Sequence, residues 1–446
     1  MRAVPTLVTA VLLVLSLAVG PAVAAQSNDQ ANACVGTVTD QPDENTLVSI
    51  QGIHLTSDGY EKRPALLVSF RPNGSFEWAR NASVNGRWWA YDVDRLPNGN
   101  VIFVTTESGA TVVGELDPET NEYVWTENFD GAPDSSTNPK VTDAHDIDLL
   151  DDGELVAADK GAGHERLLVY NRTQGETTWE WRFEDHPEDF PESGGGPADD
   201  WTHVNDVDRV NVSESDRVDA TGEWFMASVR NFDQVAFINR SSGEVELTLG
   251  ADDDYDVLNE QHNPDHLWGP NGEHTVLVAD SLNDRVVEYE YDHDAEEWER
   301  VWTATGFDEP RDADRLPNGN TLVSDRMGHR TVEITPDGEV VWEVYTPYET
   351  YDAERGAPGS NGPTMREYGA EGTVDAHGDA NFSDEEIADC AADLYAFAPS
   401  GGGFAPDLPG DDPSGDEGAF VPLVPLAAGA AVLLVGFGAA GYRYRK

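Results

Sequence analysis

Tyr91-Asp92-Val93-Asp94-Arg95-Leu96-Pro97-Asn98-Gly99-Asn100 returns almost unchanged as Arg311-Asp312-Ala313-Asp314-Arg315-Leu316-Pro317-Asn318-Gly319-Asn320. Related copies open at His145-Asp146-Ile147-Asp148, at Asn205-Asp206-Val207-Asp208 and, more loosely, at His262-Asn263-Pro264-Asp265. Each is followed by a short apolar run, at 155–158, 224–228, 275–279 and 321–323, and then by a second at 167–170, 235–238, 286–289 and 331–334. A turn such as Thr335-Pro336-Asp337-Gly338 or Arg240-Ser241-Ser242-Gly243 leads into a third run that often carries tryptophan: Trp125, Trp179, Trp302 and Trp342. About four short strands recurring roughly every 50 residues predict an all-β fold, a β-propeller. Residues 46–89 fill one further unit, so six blades are expected within 26–398, with five or seven as the alternatives. Separate sandwich domains fit less well, since they have no reason to open on the same tetrapeptide. Residues 345–398 look irregular and are expected to close the ring or cap one of its faces.

Asp and Glu number 85 against 27 Lys and Arg, a formal charge of −58. Such a charge ordinarily marks disorder, yet 12 Trp, 14 Tyr and 15 Phe supply the apolar surface of a real core. A folded chain this acidic repels itself unless counter-ions screen it, and at molar salt the Debye length falls to about 3 Å. An extreme halophile of archaeal type is the expected source, and the same field excludes nucleic acid as a partner.

Arg2, the apolar run 7–19 and Ala22-Val23-Ala24-Ala25 have the layout of a secretory signal peptide over 1–25. Near the other end, a Gly-, Pro- and Asp-rich linker over 399–418 reads as a flexible stalk. The nearly uncharged segment 419–442 is long enough, at roughly 20 residues, to cross a bilayer as a helix. Arg443, Arg445 and Lys446 mark 443–446 as a cytoplasmic tail. The expectation is a single-pass, membrane-anchored protein with an extracellular N-terminal ectodomain. Cys34 and Cys390 are the only cysteines. In an oxidising compartment they read as one disulfide tying the ends of the fold together. Six N-x-S/T sequons, at Asn73, Asn81, Asn171, Asn211, Asn239 and Asn381, suit a cell-surface glycoprotein.

Equivalent positions of successive blades converge on one mouth of a propeller's channel. Aligned on Asp-x-Asp, the copies bring Tyr91, His145, Asn205, His262 and Arg311 to one such position. His203, two residues before Asn205, is expected to face the same side, as alternate residues of a strand do. A second set of equivalent positions, after the next strand, holds Lys160, Arg230, Ser281 and Arg326 and adds cations to that mouth. Asp-x-Asp-x-Leu itself reads as scaffold, its side chains capping turns. His54, His164, His186, His274, His293 and His377 fall outside the register and read as surface, while His266 and His329 are second-rank candidates near the mouth.

Imidazoles and guanidinium groups without clustered carboxylates favour an anionic tetrahedral group, phosphate or sulfate. Imidazole can also accept the transferred group covalently and split one hard displacement into two easier ones, while Arg neutralises charge on the equatorial oxygens. A three-histidine metal site is the competing use of the same residues. The adjacent Arg and Lys would repel a cation, so neither metal nor cofactor is expected. Asp252-Asp253-Asp254 reads as solvated acidic surface.

Thr202-His203-Val204-Asn205, Ser228-Val229-Arg230-Asn231 ahead of Ile238-Asn239-Arg240-Ser241-Ser242-Gly243, Leu249-Gly250 and Gln261-His262 resemble, in that order, the signature of the arylsulfotransferases. These are the sulfotransferases that do not use a nucleotide sulfate donor. The resemblance runs from about Asp143 to Trp342 and is strongest from Asp200 to Tyr289, in the manner of a short haloarchaeal-type member. It implies a six-bladed propeller and ping-pong transfer of a sulfuryl group from a phenolic sulfate ester to a phenolic acceptor. By motif, His262 would be the nucleophile that becomes sulfohistidine. His203, Asn205 and Arg230 would bind and polarise the sulfuryl oxygens, and His145 would complete the pocket and assist proton transfer. Asn263-Pro264 after His262 departs from the acidic or small residues of the family, and the chain has no room for the extra N-terminal β-domain of bacterial members.

Two readings from other classes compete: a non-catalytic propeller that binds anionic cell-surface glycans at the same mouth, and a purely structural cell-surface protein.

Overall fold

The computed structural model describes residues 32–398, apart from short stretches at 57–58, 84–86, 108, 133–134, 151–152, 162–163, 216–221, 357–360 and 379–381. The expected signal peptide (1–25), linker (399–418), membrane span (419–442) and tail (443–446) lie outside the described residues. Among the described residues no helix is long and apolar enough to cross a membrane.

The six blades each contain four antiparallel strands that run outward from a common axis. Blade 1 is Arg87–Arg95, Val101–Glu107, Ala110–Asp117 and Glu122–Phe129. Blade 2 is Ile147–Leu149, Glu154–Asp159, Arg166–Asn171 and Glu176–Arg182; blade 3 is Val204–Asn211, Glu223–Val229, Gln234–Asn239 and Val245–Gly250. Blade 4 is His262–Trp268, His274–Asp280, Arg285–Asp292 and Glu297–Thr305, with Gly372–Asp375 added in parallel outside. Blade 5 is Pro310–Arg315, Thr321–Asp325, Arg330–Ile334 and Val340–Tyr345, with Val35–Val38 added outside.

Blade 6 corrects the sequence reading. Residues 46–89 supply only its three outer strands, Thr46–Ile50, Leu66–Phe70 and Phe76–Asn81. The inner strand is Thr350–Arg355, pairing Val48 with Ala353 and Ile50 with Thr350. Part of the stretch read as irregular is therefore a sixth copy of the repeat, Tyr351-Asp352-Ala353-Glu354-Arg355. The ring closes by marrying strands from the two ends of the propeller.

Blades stack face to face, so the middle strands are covered on both sides and read as apolar runs. Leu66–Phe70 and Arg166–Asn171 are buried throughout. Outer strands such as Glu122–Phe129 meet water on one side and alternate between exposed and half-buried residues. Outer-strand tryptophans stitch blade to blade: Trp181 Nε1 donates to the Gly243 carbonyl (2.8 Å), Trp302 to Pro336 (3.2 Å) and Trp342 to Pro72 (3.1 Å).

The first Asp of Asp-x-Asp links adjacent inner strands instead of capping turns. Asp146 Oδ2 accepts the N–H of Val207 (3.0 Å), Asp312 Oδ2 that of Ala353 (3.1 Å) and Asp352 Oδ2 that of Val93 (2.8 Å). Each carboxylate thus reaches the next blade around the ring. In the loosest copy the matching position is Pro264, which has no N–H to give, and Asp206 Oδ2 is buried without a partner.

Cys34 and Cys390 form the expected disulfide, with Cα atoms 4.6 Å apart. Cys390 lies on the helix Asp384–Phe397, which Ser383 opens with a capping box. Its buried face, Cys390 and Leu394, joins the core of Phe70, Phe76 and Trp342.

Candidate functional site

The inner strands all begin at one mouth, and the turns between second and third strands rise beside it. Tyr91, His145, Asn205, His262 and Arg311 therefore come together, as the repeat alignment implies, and Tyr351 joins them from the sixth copy. Tyr91 stacks on His145 with centroids 4.1 Å apart. Tyr351 stands edge-on to Tyr91 (5.3 Å), His145 (5.7 Å) and His262 (6.1 Å). The ring of His203 is 5.2 Å from that of His145.

His203 arrives differently from expectation. Strand Val204–Asn211 starts after it, and His203 has φ of 44°, so a left-handed kink and not strand alternation turns it toward the mouth. Asp143, Glu260 and Glu309 occupy the corresponding place in other blades, with φ of 54°, 47° and 50°. Histidine replaces an acid at this position in blade 3.

His262 is the most constrained of the three. Its Nδ1 lies 3.0 Å from the Glu260 carbonyl and 3.0 Å from Ser281 Oγ, and Ser281 donates to the Pro310 carbonyl at 2.7 Å. A carbonyl can only accept, so the proton belongs on Nδ1 and the lone pair on Nε2. Arg311 Nη1 lies along the same ring edge, 2.8 Å from Nδ1 and also within reach of Nε2. Only Nε2 can accept from it in this tautomer.

His203 Nδ1 is 2.8 Å from Asp200 Oδ2, with Arg230 Nη1 at 3.1 Å. Asn205 is fully buried, donates to the Gln261 carbonyl at 2.9 Å and leaves Oδ1 without a partner. Gln261 is held in turn by Ser228 Oγ and the Gln234 carbonyl.

All three histidines are held well below the ordinary imidazole pKa. Burial is the leading cause, and nearby cations reinforce it: Lys160 for His145 and His203, and Arg311 for His262. They therefore stay neutral near pH 7. Burial, and then Arg326, lower Arg311 to about 9. Burial pushes the Tyr91 and Tyr351 phenols well up, so both keep their protons.

The sequence reading of a mouth without clustered carboxylates is corrected. Lys160 faces Asp143 at 3.9 Å, Arg230 pairs with Glu260, and Arg311 (3.4 Å) and Arg326 share Glu309. These acids orient the cations and offset much of their charge.

Deeper along the axis the repeat contributes a ring of acids instead. Asp92, Asp94, Asp206, Asp208, Asp312 and Asp314 all have pKa values raised well above the carboxylate range, with burial as the first cause and neighbouring acids adding to it.

His266 is not at the mouth. It lies toward the far end of its strand, where its Nε2 meets His274 Nδ1 at 3.0 Å beside Trp268. His274, read as surface, is fully buried and stacks on Trp224. His186 also departs from the surface reading, stacking on Trp181 at 4.1 Å. Tyr351 and the paired acids Glu260 and Glu309 were missed from sequence. Tyr351-Asp352-Ala353-Glu354-Arg355 had the signal, since it is identical to Tyr91-Asp92-Val93-Asp94-Arg95 at three of five places and differs only by Ala for Val and Glu for Asp.

Fold and site together define a six-bladed propeller with a histidine- and arginine-lined mouth. No protein-family model matches the chain, and no curated protein matches it. Among solved structures, it is similar to a protein of unknown function from Bacteroides caccae, at 14% identity over 74% of this chain and 98% of that one, TM-score 0.43. It is also similar to a catalytically inactive virginiamycin B lyase from Staphylococcus aureus, at 10% identity over 69% and 86%, TM-score 0.38. A third is the hydrazine synthase of Kuenenia stuttgartiensis, at 14% identity over 67% and 79%, TM-score 0.37. Likeness at this level transfers no activity.

Proposed function

We propose that the protein is an aryl sulfotransferase, moving a sulfuryl group from a phenolic sulfate ester to a phenolic acceptor through His262. The observation that carries the reading is the buried, neutral His262, with Nδ1 anchored on a carbonyl and Nε2 beside Arg311. Nε2 attacks sulfur; the N–S bond forms as the ester S–O bond breaks, and the phenolate leaves with that electron pair. Arg230, Arg311 and Asn205 meet the equatorial oxygens during transfer. In the second half the acceptor oxygen attacks the same sulfur, its proton passes to neutral His145, and the N–S pair returns to His262. Tyr91 and Tyr351 form an aromatic wall suited to an aryl ring. Lys160 and Arg326 flank the entrance and favour an anionic ester.

Small-molecule donor and acceptor are the only partners this chemistry needs, and no step calls on a metal or cofactor. We further propose that the chain is exported, anchored by 419–442 and adapted to high salt, as its composition implies.

The test is incubation of the full chain with an aryl sulfate in molar KCl, followed by mass spectrometry of the His262 peptide under alkaline conditions. The expected result is one added sulfuryl group and a matching burst of phenol. A glycan-binding propeller would give neither, and that outcome would overturn the proposal.

A further inference from the structure

A second cluster of potential ligands lies at the seam where the ring closes. His54 stands in the hairpin strand Ile53–Thr56, inserted between the second and third strands of blade 6. His329 stands in the turn between Thr321–Asp325 and Arg330–Ile334 of blade 5. Glu349 is fully buried and immediately precedes the closing strand Thr350–Arg355. These positions are far apart in sequence, yet one ligand atom from each lies within 4.8 Å of the other two.

The two imidazoles are close neighbours. Their centroids are 5.8 Å apart with planes tilted by 59°, which excludes simple stacking. Both Nδ1 atoms are buried and lack a hydrogen-bond partner. A buried unsatisfied polar atom costs about 1–3 kcal/mol, so two side by side call for a shared occupant. The His329 ring also hydrogen-bonds the Tyr348 backbone. With Nδ1 unpartnered, that bond must use Nε2, fixing the ring with its other nitrogen presented, as outer partners of metal-bound histidines do. The backbone secures the remaining arm: Gln51 N–H donates to the Glu349 carbonyl at 2.9 Å, and Thr346 N–H to the His329 carbonyl at 2.8 Å.

We infer that His54, His329 and Glu349 form a binding site for a divalent transition-metal ion of the zinc class, separate from the histidines of the mouth. Two imidazoles and one carboxylate suit such an ion and leave a coordination position for water. The ion clips blade 5, the returning chain and the hairpin of blade 6 together across the closure seam. It goes beyond the sulfuryl-transfer reading and does not depend on it.

The test uses the full chain, stripped of metal and held in molar KCl, with Co²⁺ as a visible probe and Zn²⁺ as competitor. One Co²⁺ per chain is expected, with ligand-field absorption that Zn²⁺ abolishes. His54→Gln and His329→Gln should each weaken binding by at least about tenfold, within the range known for lost ligand support. His203→Ala should keep the full signal, which separates this site from the mouth. Zn²⁺ should also raise the thermal midpoint of the parent chain and leave that of His54→Gln unchanged. Equal Co²⁺ binding by the parent and a His54→Gln/His329→Gln double variant would overturn the inference. So would a signal lost with His203→Ala and kept with His54→Gln.

Discussion

Asp352, on the last strand to join the ring, accepts the backbone N–H of Val93 in blade 1 at 2.8 Å. The bond spans the place where the two ends of the propeller meet, and its equivalents recur around the axis. Asp352→Ala leaves the buried Val93 N–H without an acceptor and should cost about 1–3 kcal/mol. Asp352→Asn keeps an accepting oxygen and should cost less. Denaturant unfolding in molar KCl distinguishes them.

Asp206 presents the opposite case. Pro264 denies its Oδ2 a donor, and neighbouring acids raise its pKa on top of burial. Asp206→Asn removes an uncompensated acid and should stabilise the protein above neutral pH, by up to about 1–3 kcal/mol. Equal or lower stability of the variant at pH 8 would count against an unpaired carboxyl there.

The axial acids also set how stability depends on pH. Burial raises Asp146 to about 8 and Asp352 to about 6, and raises Glu354 to about 8, while their unfolded counterparts ionise near 4. Between those limits the native state holds more protons than the unfolded one, so stability falls as pH rises. Arg95 opposes this at Glu354, while Arg315 and Arg355 are engaged by Glu288 and Glu333. The buried mouth histidines, with pKa values lowered, act in the other direction and cost stability as pH falls below about 6.5. The thermal midpoint at fixed salt should therefore rise from pH 8.5 toward about 6.5 and climb less steeply below it, since the raised acids outnumber the three histidines. A midpoint increasing steadily from pH 6.5 to 8.5 would contradict the raised carboxyls.

Arg311→Met should lower kcat/KM with an aryl sulfate by roughly 10²–10³-fold, the usual effect of losing a donor aimed at transition-state charge. With His262 as the nucleophile, the first half-reaction should be flat in pH from 8 down to about 6, because burial keeps Nε2 unprotonated across that range. A rate that follows an ordinary histidine titration near 6.5 would place the nucleophile elsewhere.

Cys34→Ser with Cys390→Ser should lower stability by about 2–5 kcal/mol, the range for a native disulfide. The inner ring should survive, since Thr46–Ile50 and Thr350–Arg355 still pair. Circular dichroism and melting of the double variant check both halves of this expectation.

Repetition made much of this molecule legible. Because equivalent residues must occupy equivalent places, Tyr91, His145, Asn205, His262 and Arg311 could be brought together without coordinates. Repeat symmetry says nothing about the places where it is broken. Blade 6 combines strands from both ends of the chain, so the copy at Tyr351 lies outside the linear count. His203 depends on a left-handed φ that no alternation rule encodes. Glu260 and Glu309 were hidden because one sequence does not reveal that a turn residue folds back onto an arginine 30 residues earlier in the preceding blade, or 17 residues later in its own. His54 and His329 meet only after the ring has closed.

Closure by distant strands also fixes the timetable of assembly. Thr350 and Ser49 are 301 residues apart in the chain. At a synthesis rate of about 5–20 residues per second, the earliest strands would wait roughly 15–60 s for their inner neighbour. Throughout that interval Thr46–Ile50 has an open edge, so maturation must shelter it from intermolecular pairing until the last arc is delivered.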